Sequence, residues 1–260
     1  MKRKMILQIR LAVGIACCFL LSCNKEQLNL DSGNSVSLQS SSVSPNALIV
    51  VPPVAIDYDG NHYNTVILGT QTWIKRNLEV TCYNNGDSIP NITNNIAWIN
   101  TKAGAYCYYN NTANYKNYGV LYNWFAITDS RNLCPAGYHV PSHNDWVTLE
   151  NFLGGIAIAG GKLKSTGTIE GGDGLWYYPN LGATNSTGFR GWPTGFRYFM
   201  DGQFHDDGVN CYFWTSTTQD NMAWSVALSC YNAAVYHQDY FAEYFEAYKN
   251  YGMSVRCLKN

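Results

Sequence analysis

The sequence predicts an α+β domain, on the strength of two patterns and one composition signal. Branched and aromatic residues alternate in short runs separated by turn residues, the signature of antiparallel strands. One stretch carries both a start and a stop signal for a helix. From Ala55 to the end, aromatic side chains recur every few positions, and Phe, Trp and Tyr together make up 15% of the chain.

Taken in order, "AIDYDGNHYNTVILGTQTWI" reads as a β-hairpin turning at Asp59-Gly60. In "PSHNDWVTLENFLGG", Ser142 and Asp145 have the spacing of a capping box. Trp146, Leu149 and Leu153 then share one face, and Gly154-Gly155 ends the helix. "YFWTSTT" and "AWSVALS" read as paired strands around a turn at Gln219-Asp220-Asn221, and "YGMSVRCL" as a last short strand. Before it, Tyr240, Phe241, Tyr244, Phe245 and Tyr248 keep the spacing of a short amphipathic helix.

The first residues have a different character. Lys2, Arg3, Lys4 and Arg10 precede the apolar run Leu11 to Leu21, the layout of a secretory signal and too short to span a bilayer. Leu20-Leu21-Ser22-Cys23 resembles a bacterial lipobox, which implies cleavage after residue 22 and a lipid on Cys23 that anchors the chain to a membrane. Asn24-Lys25-Glu26 after it suits an outer-membrane lipoprotein of Bacteroidetes-type bacteria, exposed at the cell surface or facing the periplasm. Residues 1–22 are therefore expected to be a signal peptide, 23–54 a Ser- and Asn-rich tether, and 55–260 a single domain.

Without the leader's four basic residues, 13 of the 17 Lys and Arg remain against 18 Asp and Glu. That acidic balance argues against a nucleic-acid partner. Six cysteines stay in the exported domain: Cys82, Cys107, Cys134, Cys211, Cys230 and Cys257. An even number in an exported chain reads as disulfides, and the residues alone leave 15 connectivities open. With no C-x-x-C pair there is little to suggest a redox motif or a zinc ribbon.

The common catalytic motifs are missing. H-E-x-x-H, G-x-S-x-G and G-x-G-x-x-G do not occur. "GGKLKST" fails as a phosphate loop, because Ile156 stands where glycine is required and Leu163 where Ser or Thr is. His139 and His143 straddle a helix start and lack a third ligand. Asp201, Asp206 and Asp207 are weak candidates for calcium or for glycosidase carboxylates, since Asp-Gly and Asp-Asp-Gly are ordinary turn chemistry. No cofactor and no metal is expected, and the domain is expected not to be an enzyme.

Eight segments, including "DYDGNHYNTVILGTQTWIKRNLEV", "LCPAGYHVPSHNDWVTLE" and "YGMSVRCL", follow in an order that resembles the Fibrobacter succinogenes major paralogous domain, over about residues 55 to 260. The resemblance implies a C-type lectin-like fold related to the formylglycine-generating sulfatase modifiers: irregular mixed strands, one or two helices and joined termini. It also implies that Cys134 pairs with Cys257. Cys82–Cys107 and Cys211–Cys230 are then the simplest remaining partners, the second pair flanking the predicted hairpin where the chain departs from the family pattern. No Glu-Pro-Asn or Trp-Asn-Asp calcium signature of sugar-binding lectins occurs.

The surplus of flat side chains points to recognition, since exposed rings suit sugar faces and protein surfaces. Trp176, Tyr177 and Tyr178 in "GDGLWYYPN" are the expected platform, while Trp73, Trp124, Trp146, Trp214 and Trp224 are assigned to the core. The expected function is binding of a glycan or protein through loops between about 165 and 210. A structural component of the cell surface without a small ligand is the alternative, and an enzyme acting on polysaccharide or exported protein ranks last.

Overall fold

In the computed structural model, which describes residues 53–219, 222–239 and 248–260, Asp57 organises the start of the domain. Its carboxylate accepts from the backbone and side-chain amides of Asn61 and, at 2.6 Å, from the Tyr63 hydroxyl. This closes the turn between β1 (Ala55–Ile56) and β2 (His62–Tyr63). The rest of the stretch read as one hairpin forms a second, with β3 (Thr65–Leu68) paired to β4 (Gln71–Ile74) in register.

The expected signal peptide, Cys23, nearly all of the expected tether, the predicted turn residues Asp220 and Asn221, and most of the aromatic segment 240–251 lie outside the described residues. The described ones belong to one compact unit, 49–260. Among them, mostly short strands with a few short helices make an α+β fold.

Next come α1 (Asn95–Asn100) and the pair β5 (Tyr106–Cys107) and β6 (Leu121–Tyr122). The one-turn α2 (Trp124–Ile127) is capped by Asn123, and β7 (Tyr138–His139) follows. The helix α3 (His143–Phe152) begins with both halves of the Ser142/Asp145 capping box in place. Trp146, Leu149 and Leu153 are all buried along it, as their spacing requires.

The sequence pattern missed α4 (Ile156–Leu163). Two glycines and two isoleucines in eight residues are poor helix formers, but packing requires both glycines. A Cβ on Gly160 would collide with the Ala234 carbonyl, and one on Gly161 with that of Gly182. The motif that fails as a phosphate loop is thus a site of close backbone approach.

The second half of the chain builds the larger sheet from β8 (Thr194–Arg197), β9 (Phe204–Asp207), β10 (Asn210–Gln219), β11 (Met222–Ser229) and β12 (Val235–Asp239), in the order β12-β11-β10-β8-β9. The predicted pair "YFWTSTT" and "AWSVALS" forms its antiparallel centre. A four-stranded sheet, β3-β4-β13-β7, contains the last strand, β13 (Leu258–Lys259). There Leu258 lies between Trp73 and His139, so the two ends of the domain share one sheet.

The predicted last strand is divided among several neighbours. Gly252 bridges to Arg197, Met253 to Tyr122 and Ser254 to Phe213 before β13 begins. One core cluster around this thread contains the disulfide, Tyr122, Trp124 and Trp214. A second joins Trp73, Trp146, Trp176, Phe189 and Phe213, with Trp73 and Trp146 centroids 4.9 Å apart. Trp98 anchors a third, and Trp224, assigned to the core from sequence, is half-buried against the His143 ring.

Cys134 and Cys257 are bonded across a sequence separation of 123 residues. A loop of that length contributes about 5 kcal/mol by restricting the unfolded chain. The other two expected bridges are absent, and Cys82, Cys107, Cys211 and Cys230 are free thiols. Register explains the second pair. Cys211 faces Leu228, whereas the Cys230 amide donates to the Val209 carbonyl, which makes the two cysteines diagonal neighbours. Diagonal residues stand about 7 Å apart, well beyond the roughly 3.8 Å between Cβ atoms in a disulfide. As for the first pair, Cys82 bridges to Ser88 beside Asp59, while Cys107 is packed in the Trp98 cluster.

Among the described residues, three cations are fully buried. Arg256 donates to Asn77 Oδ1 and to the carbonyls of Ile74, Phe189 and Arg190. Arg197 reaches the carbonyls of Gly202, Ile92 and Thr93 and Asn95 Oδ1. Lys164 reaches those of Leu181, Ser229 and Asn232. Burial pushes Arg256 down to about 9 and Lys164 to about 8. Each ties loops together through carbonyl oxygens that no strand satisfies.

Candidate functional site

The loop between α4 and β8 returns across the surface to a short helical turn, Ala113–Tyr118, and to the β2 to β4 region. Three adjoining hollows open where these segments meet, and the half-buried Trp192 borders all of them. The largest, about 470 Å³, is walled by Tyr115, Tyr118, Leu175 and Trp192. A middle hollow of about 290 Å³ presents Ser165, Thr166, Asp173, Asn185 and Arg190. The third, about 140 Å³, is bordered by His62, Asn64, Lys75, Arg76 and Arg190. Together they form one groove, aromatic at one end and cationic at the other.

A ladder of rings fixes the aromatic wall. Phe204 and Tyr109 are 5.2 Å apart between centroids, Tyr109 and Tyr115 5.2 Å, Tyr115 and Tyr118 5.3 Å, and Tyr118 and Trp192 5.8 Å. Its inner end lies in the Trp98 cluster, so the surface rings are braced from the core. The Tyr115 hydroxyl donates to Asp207 Oδ2 at 3.2 Å. Burial, then the Asp207 charge, pushes Tyr118 up to about 12, and the same causes raise Tyr115. Both phenols are neutral donors at physiological pH.

The floor and rim depend on tight backbone contacts. Trp176 lies beneath, its Nε1–H donating to Ser165 Oγ and to the Gly191 carbonyl. Gly167 and Gly174 approach so closely that a Cβ on either would strike the other segment's backbone, which keeps Asp173 and Leu175 on the rim. Arg256 links the Ile74 carbonyl to those of Phe189 and Arg190, and so joins the strand end that carries Lys75 to the loop that carries Arg190.

The platform read from sequence divides. Trp176 is 0% exposed and belongs to the second core cluster, which corrects its assignment. Its backbone pairs with the Thr168 segment and turns the ring inward. Tyr177 and Tyr178 are 43% and 72% exposed but do not line the groove. Tyr177 packs by Gly208, near enough to Tyr115 for a charge on one phenol to be felt by the other. Sequence reasoning missed Tyr115, Tyr118, Trp192, Lys75 and Arg190. The available signal was "GWPTG" at 191 to 195, a tryptophan held between a glycine and a proline.

The aspartates serve their own turns and strands. Asp201 accepts from the Gln203 amide, Asp206 from Asn210 and Tyr212, and Asp207 from Tyr115. His139 contacts Asn260 and Asp145, while His143 lies 4.5 Å from the His237 ring, so the two do not converge. Among the described residues no three His, Cys, Asp or Glu side chains are grouped to hold a metal ion.

The described residues form a disulfide-closed α+β domain with a groove, aromatic at one end and cationic at the other, on its surface. The Fibrobacter succinogenes major domain family model matches residues 66–259, most of the chain, and the protein belongs to that family. No curated protein and no solved structure matches it.

Proposed function

We propose that this is an exported, lipid-anchored bacterial surface protein whose domain binds a saccharide in the Trp192 groove without transforming it. The observation that carries this reading is the aromatic wall, Tyr118 against Trp192, beside a polar hollow containing Asp173, Asn185 and Arg190. Flat rings pack on the apolar face of a sugar while polar groups meet its hydroxyls. Two features support a C-type lectin-like architecture: the early β3–β4 hairpin shares a sheet with the last strand, and a disulfide links the segment before α3 to the residue that precedes that strand. Export rests on the basic and apolar leader and the lipobox-like Leu20 to Cys23.

A glycan array probed with the oxidised protein tests the reading. Binding should fall in Trp192→Ala and Tyr118→Ala but persist in Tyr178→Ala. Labelling with a radioactive fatty acid, lost in Cys23→Ser, tests the anchor.

A protein partner is the second reading, favoured by Ile67, Phe152, Ile156 and Ile158, all about half exposed. Phe152 lies against Gly69, in the turn after Ile67, and Ile158 lies against Gly154, between α3 and α4. Capture of a partner lost in Phe152→Asp and kept in Trp192→Ala would favour it.

A further inference from the structure

The cationic end of the groove holds charges that the fold does not use. Arg76 is committed: it pairs with Glu79 at 2.6 Å, donates to the His62 carbonyl and lies over the Tyr63 ring. Lys75 and Arg190 differ, for among the described residues neither is bonded to a carboxylate. The other acid on the groove, Asp173, accepts from the Thr168 amide at 2.9 Å. Lys75 Nζ lies against Gly188, two residues before Arg190, and both cations border the third hollow. Arg256 sits beneath them, held by carbonyls, and adds positive potential from within. This concentration of positive charge occurs in a chain with a formal net charge of -1.

Trp192 belongs to both the aromatic hollow and the cationic one. A ring stacked on it therefore directs one edge toward Arg190 and Lys75. A neutral sugar would leave both side chains to water. A carboxylate on that edge would make charge-assisted bonds, roughly twice as strong as neutral ones, with the Arg190 fork suited to bidentate contact.

We propose that the groove selects a saccharide bearing a carboxylate, a uronic acid, with its ring on Trp192 and its carboxylate between Arg190 and Lys75; this rests on the reading of the groove as a saccharide site. The test is calorimetric titration of the full chain in detergent with oligosaccharides of galacturonate and of alginate, each compared with its methyl ester, which keeps the ring and removes the charge. The acid form should bind at least about tenfold more tightly, the factor that 1.4 kcal/mol represents. Added salt should narrow that gap. Lys75→Ala and Arg190→Ala should bring the acid down to the ester's affinity with melting temperature unchanged, and Trp192→Ala should weaken both forms.

Equal affinity for acid and ester, both lost in Trp192→Ala, would overturn the carboxylate and leave the saccharide groove standing. Acid binding retained in the Lys75→Ala/Arg190→Ala double variant would also overturn it. No binding of any of these by folded wild type would overturn the inference and count against the saccharide reading itself.

Discussion

Arg256 donates to the Arg190 carbonyl, yet the two guanidinium groups have different tasks. Arg256 donates only to carbonyl and amide oxygens of its own chain, while Arg190 is exposed and has no carboxylate partner among the described residues. The same contrast separates Trp176, bonded through Nε1 beneath the groove, from Trp192 on its wall. Side chains of one type build the site when their polar atoms are satisfied internally, and remain available to a ligand when they are not.

Substitutions that exchange these roles probe the contrast most strongly. Arg256→Met should strip four oxygens of their donor, and at about 1 kcal/mol or more for each buried group left unpaired it should cost at least about 4 kcal/mol in urea unfolding. Arg190→Ala should leave the urea midpoint nearly unchanged. The tryptophans should divide likewise: Trp176→Ala should cost about 3 to 5 kcal/mol, as for a core aromatic, and Trp192→Ala about 1 kcal/mol or less with ligand binding lost. Equal costs for Trp176 and Trp192 would break the comparison.

Opening the disulfide with Cys134→Ala/Cys257→Ala should cost about 2 to 5 kcal/mol. Alkylation of the native folded protein sharpens that test, because the thiol of the half-buried Cys82 should react before the buried Cys107 and Cys211. The smallest effect expected is of pH. Burial, then the nearby His237, lowers the pKa of His143, so the unfolded chain takes up that proton more readily. Its contribution is intact above the unfolded value of about 6.5 and is lost as pH falls from there through the lowered folded value. The melting temperature should drop over that interval, and less steeply in His143→Gln.

Local signals were legible wherever the chain satisfies itself at short range. Ser142 and Asp145 define α3 within four residues, and the alternation of "AWSVALS" already specifies its strand. The helix α4 was not legible, because Gly160 and Gly161 are tolerated only through contacts with residues 182 and 234. Trp176 and Trp192 both stand in Gly- and Pro-punctuated loops, and nothing local distinguishes the one that turns inward. Tyr115 and Tyr118 were hidden for the same reason: they meet Trp192 only after more than seventy intervening residues have folded. The Cys134–Cys257 pair was found through resemblance to a family, while Cys211 and Cys230 misled because closeness in a hairpin does not settle its register.

The most direct measurement is fluorine NMR of the protein labelled with 5-fluorotryptophan, with the resonances of its eight tryptophans assigned by Trp-to-Phe variants. Titrated with the strongest glycan from the array, the Trp192 resonance should move while those of Trp73, Trp146 and Trp176 stay in place. A shift confined to other tryptophans, or none at saturating glycan, would contradict the groove as the binding site.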